Sequence, residues 1–348
     1  SRKLDVPSQE LRYQYIAADG SSISFFSFPK FASDDYFILE GHSMNGFYSM
    51  HLNAFYDIEK HIYTDAVLQS AHKKDEFLAF CQMVDRHIPS SDIKTVFIGD
   101  RGYCSYNNMA HVIEKEQYFV FRSKDITSKG ILSNFAFPDS DTFDITVNVT
   151  LTRSQRKSIK IKSDFYRRFV DKVASFDYIE YASTDTYDMS FRIVRFMISE
   201  DTYECIVTNL PQEEFGAEEL KKIYNSRWSI ESSFRKLKYT IGVSYYHGYK
   251  PDFIKQEIWA KFIAYNATEL LISHTVVKHG KRKHSYRINF SLAAHICRLY
   301  LRLPTEIESM DVMALLQKEL VPVRNDRQFP RLKTAHFRKP KYLIYRVS

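Results

Sequence analysis

Cysteine is scarce in this chain. Cys81, Cys104, Cys205 and Cys297 are the only four in 348 residues, and no two of them form a CxxC pair. That spacing speaks against a zinc site or a disulfide framework, and it fits a reducing compartment. No run of about 18 apolar residues exists, so no membrane-spanning segment is expected. Neither a signal-peptide pattern nor an internal repeat nor a low-complexity stretch is visible. The chain opens on Ser1 rather than Met, and a chain lacking its native N-terminus is expected.

What is present supports a sizeable core. Hydrophobic residues make up 44% and aromatics 15%, which excludes bulk disorder. The length suggests about two domains, or one domain with a large insertion. Formal net charge is +7 and the isoelectric point lies near 8.9. A moderately basic protein is compatible with a polyanionic partner without singling one out.

Residues 12–26 alternate apolar and polar, with Asp19-Gly20 read as a break, so a strand is expected with Asp19 at or near a bulge or turn. Residues 46–58 and 61–69 read as the next two strands, joined tightly around Glu59-Lys60. Phe77, Phe80, Cys81 and Val84 recur at helical spacing within 73–87. TVFIGD (95–100) reads as a buried strand ending on an aspartate, 105–116 as a helix and 117–123 as a strand. This β-β-β-α-β-α-β order is that of an RNase H-like α/β core with a mixed sheet. Residues 124–200 change to short β-type runs (FDITVNVTL, KSIKIKS, FDYIEYAS, FRIVRFMIS), read as a β-rich insertion and not a continuation of the core. ECIVTNL (204–210) returns to a buried-strand pattern. The expected organisation is thus a first core part at 1–123, an insertion at 124–200, a second core part at 201–250, and a helical C-terminal region with a basic tail at 251–348. Within the last, a long helix is expected from about Phe253 to His279, with Trp259, Phe262 and Leu270 on its apolar side.

The stretch from Glu219 to Gly242 reads as one helix, stopped by Gly242. On it, Tyr224, Arg227, Glu231 and Lys238 fall within about a 60° arc at 100° per residue. Ile223, Ile230, Phe234, Leu237 and Ile241 form a second, apolar stripe roughly 75° round the helix. A carboxylate, two cations and a phenol therefore line the border of the expected buried face. Taken alone, this is also how an amphipathic surface helix with i, i+4 charge pairs looks.

Three carboxylates sit where such a fold makes them special: Asp19 on the first strand, Asp100 at the end of the fourth, and Glu231 on the helix after the insertion. First and fourth strands are neighbours in an RNase H-like sheet, so Asp19 and Asp100 can converge, and a helix packed beside them can supply the third acid. Three adjacent acids stay ionised only with positive charge between them. Hard oxygen ligands select Mg²⁺ or Mn²⁺, and two such ions roughly 3.5–4 Å apart suit phosphodiester chemistry.

The combination of DGS at Asp19, DRGY at Asp100 and Tyr-x2-Arg-x3-Glu-x6-Lys at Tyr224, Arg227, Glu231 and Lys238 resembles the DDE transposases of the insertion sequence 4 family. TNL (208–210) and RWSIE (227–231) match the family's usual surroundings, and the likeness extends over about residues 12–345. The resemblance implies an RNase H-like catalytic core interrupted before the glutamate by a β-rich insertion, with Asp19, Asp100 and Glu231 as the metal-binding triad. It implies that Tyr224, Arg227 and Lys238 contact the DNA backbone near the transposon end. It further implies a bacterial, cytoplasmic and nucleoid-associated enzyme that cuts transposon ends and joins them to target DNA as a synaptic homodimer. Trp228 is a candidate to stack on a displaced base. Arg101 is expected either to contact phosphate or to pair with a carboxylate. The eight Lys and Arg between Val321 and Ser348, Arg327 and Arg331 among them, face one acid, Asp326, and are interleaved with Tyr and Phe, a pattern suited to DNA contact. Family members carry a further N-terminal region before the first aspartate. Only eighteen residues precede Asp19 here, so a fragment is expected. Two other readings of the same residues are an RNase H-like nuclease without strand transfer and a DNA-binding derivative that no longer cuts.

Overall fold

Tyr13–Phe25 forms a single strand, β1, with both faces covered around Ile16, Ala17 and Ala18. The computed structural model describes residues 13–39, 46–89, 92–156, 158–277, 285–302 and 311–323. The basic cluster at 278–284 and most of the basic tail, including Arg327 and Arg331, lie outside the described residues.

Asp19-Gly20 does not break β1. Pairing with the next long strand runs without a slip from Ile16 opposite Asp57 to Phe25 opposite Tyr48. Glycine at 20 answers to space rather than to a turn: a Cβ there would stand 2.5 Å from His51 Nε2 and 3.0 Å from Glu76 Oε1.

After the short β2 (Phe37–Ile38), which the sequence did not suggest, come β3 (Phe47–Asp57) and β4 (Ile62–Ser70). Their hairpin is closed by Asp57, whose Oδ1 accepts from the backbone N–H groups of Glu59 and Lys60 at 3.0 and 2.8 Å. Helix α1 (Glu76–Arg86) leads to β5 (Lys94–Gly99), and α2 (Tyr106–Glu114) leads to β6 (Tyr118–Ser123). β1, β3 and β4 are antiparallel in sequence order, while β5 and β6 run parallel to β1. The spatial order β4-β3-β1-β5-β6 is the RNase H-like arrangement that the sequence suggested. Phe77 departs from expectation: it is exposed, and α1 instead buries Ala79, Phe80, Cys81, Met83 and Val84.

The β-rich segment supplies β7 (Phe143–Thr152), β8 (Phe165–Phe169) and β9 (Thr186–Ser199), and β10 (Thr202–Thr208) follows. These strands do not stand apart from the core. β10 pairs with β6 and β9 with β10, extending the same sheet in the order β6-β10-β9-β7-β8. Residues 158–163 of KSIKIKS and all of FDYIEYAS form no strands. In the first, Ile159 and Ile161 are only half-buried. In the second, Phe176 and Ile179 are buried, but their carbonyls accept from the Arg153 guanidinium at 3.0 and 2.9 Å instead of from a ladder.

Beyond β10 the expected single helix is two. α3 (Ala217–Ser226) and α4 (Trp228–Arg235) meet at Arg227. There Arg227 N–H bonds Tyr224 O at 3.1 Å and Ile230 N–H bonds Arg227 O at 3.0 Å, a locally tightened turn. Lys236–Ile241 then widens into a π turn, ended by Gly242 at φ 94°, a left-handed position that favours glycine. The constant 100° step behind the predicted arc therefore does not hold past Arg235.

α5 (Pro251–Ser273) buries Ile254, Ile258, Phe262 and Tyr265, whereas Trp259 and Leu270, expected on the apolar side, are exposed. β11 (Tyr286–Ile288), α6 (Phe290–Tyr300), α7 (Val312–Lys318) and β12 (Leu320–Pro322) complete the described chain, with β11 and β12 paired. Among the described residues, no helix is long and apolar enough to cross a membrane.

The sheet separates two cores, and side-chain alternation decides which residue enters which. Ala17, Ile23 and Phe25 of β1, Val96 and Ile98 of β5, Val120 and Ile206 join the side chains of α3, α4 and α5. Ile16, Ala18, Phe97, Phe119 and Phe121 join α1 and α2 on the other face. The outer strands are protected in different ways. On β4, the Asn266 amide of α5 bonds both the N–H and the carbonyl of Tyr63, at 2.9 and 2.8 Å. At the far end, β8 is only five residues long and carries Arg167 and Arg168.

Candidate active site

Asp19 shares parity with Ala17 and Ile23, and Asp100 with Val96 and Ile98. Both carboxylates are thereby directed to the face covered by α3 and α4. They also stand level: β1 and β5 pair through Ala17 opposite Ile98, and two residues further along each chain are Asp19 and Asp100. β5 ends at Gly99, so the ladder opens just where the two acids need room.

Asp19 is half-buried, and its Oδ1 accepts from the N–H of Gly20 at 2.8 Å. Asp100 caps a short turn, its Oδ1 accepting from the N–H of Gly102 at 2.8 Å. From above, Arg227 Nη1 approaches Asp19 Oδ2 to 3.8 Å, and Nη2 bonds Glu231 Oε1 at 3.2 Å. Burial pushes the Asp19 carboxyl up to about 6; the Gly20 N–H and Arg227 oppose this, while Asp100 and Glu231 add to it. Burial disfavours the Arg227 charge, but Tyr224, Asp19 and Asp100 outweigh it and hold the guanidinium pKa above its ordinary value. The three acids are thus electrostatically coupled through one arginine. They do not close into a set of donor atoms all within 4.8 Å of one another; among the described residues, only Cys81, His111 and Asp177 do that. The guanidinium holds the place between Asp19 and Glu231 that the sequence suggested for a metal ion.

The expected phosphate contacts are placed unevenly. Tyr224 and Arg227 are only 3% and 5% exposed, so neither is a surface group. Tyr224 packs under the guanidinium, 5.7 Å from its ring centroid, and burial raises its phenol pKa. Arg227 Nε is buried without a hydrogen-bond partner. Lys238 reaches back to β1, donating to Ser21 Oγ at 2.6 Å and Ser22 O at 3.0 Å. Burial lowers its pKa, against the pull of Asp19. Trp228 is 48% exposed, with the Arg227 guanidinium 5.2 Å from its ring centroid. Arg101 is exposed and pairs with no carboxylate among the described residues.

Three neighbours were not foreseen. Glu76, the first residue of α1, lies against both glycines beside the acids: Oε1 and Oε2 are 3.0 and 3.7 Å from where Cβ atoms of Gly20 and Gly102 would be. It pairs with the buried His51 at 2.9 Å and with Lys74 at 2.8 Å. The His51 bond, against burial and with help from Lys74, holds the Glu76 carboxyl down at about 2. Tyr103 is fully buried, and its Oη lacks a partner. In the sequence, Glu76 reads as an ordinary acid at a helix N-terminus, nothing marks His51, and Tyr103 is the last residue of the DRGY motif, which was read only for Asp100 and Arg101.

Comparison with known proteins places the chain in a family. Residues 10–267 match the model described as "Transposase DDE domain". The chain is 27% identical over 130 residues to the transposase InsG for insertion sequence element IS4 of Escherichia coli (strain K12), covering 34% of this chain and 28% of that protein. It is 24% identical over 185 residues to a probable transposase for insertion sequence element IS5377 of Geobacillus stearothermophilus, covering 53% of this chain and 41% of that protein. The matches thus span less than half the length of these relatives. Among solved structures, the piggyBac transposase in a synaptic complex with hairpin DNA aligns at a TM-score of 0.43 and 8% identity, over 84% of this chain and 54% of that one. With the family match spanning most of its length, the chain belongs to the transposase DDE domain family.

Proposed function

We propose that the chain carries the catalytic core of a DNA transposase that cuts transposon ends and joins the freed 3′-hydroxyl to target DNA. The observation that carries this reading is the level placement of Asp19 and Asp100 on neighbouring parallel strands, under the helix that brings Arg227 and Glu231. The donor set fits a hard divalent cation, being all carboxylate oxygen. Asp19, Asp100 and Glu231 would hold Mg²⁺ or Mn²⁺, as two ions, once the Arg227 guanidinium yields its place between Asp19 and Glu231. Bound there, such ions supply an activated water or 3′-hydroxyl and stabilise the leaving oxygen.

The chain's own residues do the positioning. Arg227 sets a positive charge between Asp19 and Glu231, which would draw a DNA phosphate towards the carboxylates. Lys238 is braced on β1, so its charge is fixed beside Asp19. Trp228 offers an exposed ring for a base, and Arg101, with Arg327 and Arg331 of the tail, adds backbone attraction. Tyr224 supports Arg227 from below. The DNA partners are transposon ends and target duplex, and the working assembly is a synaptic homodimer.

The test is strand transfer with precut ends in Mg²⁺ or Mn²⁺. Joined products are expected from the wild-type chain, and neither cutting nor joining from Asp19→Ala, Asp100→Ala or Glu231→Ala. Near-normal cutting by Glu231→Ala would sink the assignment. Hydrolysis without joining would make the protein a plain nuclease, and binding without nicking an idle DNA-binding derivative.

A further inference from the structure

Cys81, His111 and Asp177 bring a thiol, an imidazole and a carboxylate together on the α1–α2 face, away from Arg227 and Glu231. Cys81 on α1 and His111 on α2 are 2% and 6% exposed. Asp177 comes from the segment after β8 that Arg153 holds by its carbonyls. His111 Nε2 is 2.8 Å from Asp177 Oδ2, and Nδ1 is 2.8 Å from Asp85 Oδ1. Asn107 Nδ2 completes the group, reaching Asp177 Oδ2 at 3.0 Å and Cys81 Sγ at 3.6 Å. The Cys81 thiol donates to Asn108 Oδ1 at 3.3 Å.

Both nitrogens of His111 thus face carboxylate oxygens, whereas a neutral imidazole donates from only one. One of those two contacts is therefore open to a cation in place of a proton. We propose that the cluster is a zinc site, with Cys81 Sγ, His111 Nε2 and Asp177 as ligands and Asp85 orienting the ring. Sulfur, nitrogen and oxygen together suit Zn²⁺ better than Mg²⁺ or Ca²⁺. A carboxylate on the far nitrogen is the usual device for fixing the tautomer of a metal-bound histidine. Tetrahedral zinc holds N and O ligands roughly 3.3 Å apart, so the His111–Asp177 pair need open by only about half an ångström. Asp177 is exposed, which leaves water the fourth position. Binding releases the thiol proton and takes the Nε2 lone pair, leaving the Nδ1–H to donate to Asp85. The ion would tie α1, α2 and the segment before β9 into one unit. Wide cysteine spacing argues against a cysteine-rich motif, but not against a mixed site assembled from three distant segments.

The test is titration of the chelator-treated full chain with Co²⁺, followed by Zn²⁺. One equivalent of Co²⁺ is expected to give tetrahedral visible bands and a near-ultraviolet thiolate-to-cobalt band, both abolished by Zn²⁺. The carboxylates around Asp19 have no thiolate and cannot produce that band. Cys81→Ser should remove it, and Asp85→Asn should weaken binding about 10–100-fold while keeping it. Absence of the band in folded wild-type protein overturns the proposal whether or not the variants fold, and so does its persistence in Cys81→Ser.

Discussion

Arg227 Nη1 stands 3.8 Å from Asp19 Oδ2, linking the helical side of the candidate site to the strand at its floor. The same guanidinium bonds Glu231, so one buried cation balances acids from two distant parts of the chain. Changing either member of the Arg227–Asp19 pair should therefore be felt at the other.

Asp19→Asn should stabilise the protein at neutral pH. The Asp19 carboxyl titrates near 6 in the folded chain against 3.8 for the free group. The folded state therefore binds more protons than the unfolded state between those values, and stability falls as pH rises through that window. Removing the charge should recover roughly 1–3 kcal/mol above pH 6 and nothing below about pH 4. Urea denaturation of both proteins from pH 4 to 8 measures this. Parallel curves for wild type and variant would contradict it. Adding Mg²⁺ or Mn²⁺ should raise the wild-type melting temperature, an effect that EDTA reverses and Asp19→Asn blunts.

Arg227→Ala should act in the opposite direction. Without the guanidinium, Asp19 loses its nearest cation, and its pKa should climb further above 6, measurable by carboxyl-carbon NMR titration. Global stability should fall by about 1–3 kcal/mol, since a partly buried carboxylate is left unpaired. Arg227→Lys should restore part of the titration shift but little strand transfer, because an ammonium cannot bridge Asp19 and Glu231 as a fork. Equal activity of Lys and Arg at this position would refute the bridging role.

Gly20→Ala should destabilise by about 1–3 kcal/mol through overpacking. The added methyl would sit 2.5 Å from the His51 ring and 3.0 Å from Glu76. Pairing it with His51→Ala should recover part of the loss, a coupling that a double-mutant cycle in urea can measure. Additive losses would show that the two positions do not compete for the same space.

Much of this was legible in the sequence, for identifiable reasons. β1, β3, β4, α1, β5, α2 and β6 follow from alternation and helical spacing, because each buries a regular face. The parity of Asp19 and Asp100 was equally readable once β1 and β5 were neighbours. What escaped depended on contacts between distant segments. Asp-Gly looked like a turn, but the local preference yields to thirteen residues of strand pairing and to the space His51 needs. FDYIEYAS has strand composition, yet Arg153 takes its carbonyls. The uniform helix from Glu219 to Gly242 ignored the tightened turn at Arg227 and the wide one after it, neither of which propensity marks. Glu76 escaped because an acid in the first turn of a helix carries no signal until the sheet is assembled.

The two protected strands at the ends of the sheet govern how this protein can meet others. Asn266 presents β4 with an amide in place of a neighbouring strand. At the other end, β8 ties Arg167 and Arg168 to carbonyls of Ser154, Arg156 and Ser133. Extension of either border by another chain is obstructed at these points. Contact between two copies through side chains, if they meet, is a mode that charge and salt can reverse. Fusion of their sheets, which would be hard to undo, is discouraged by construction.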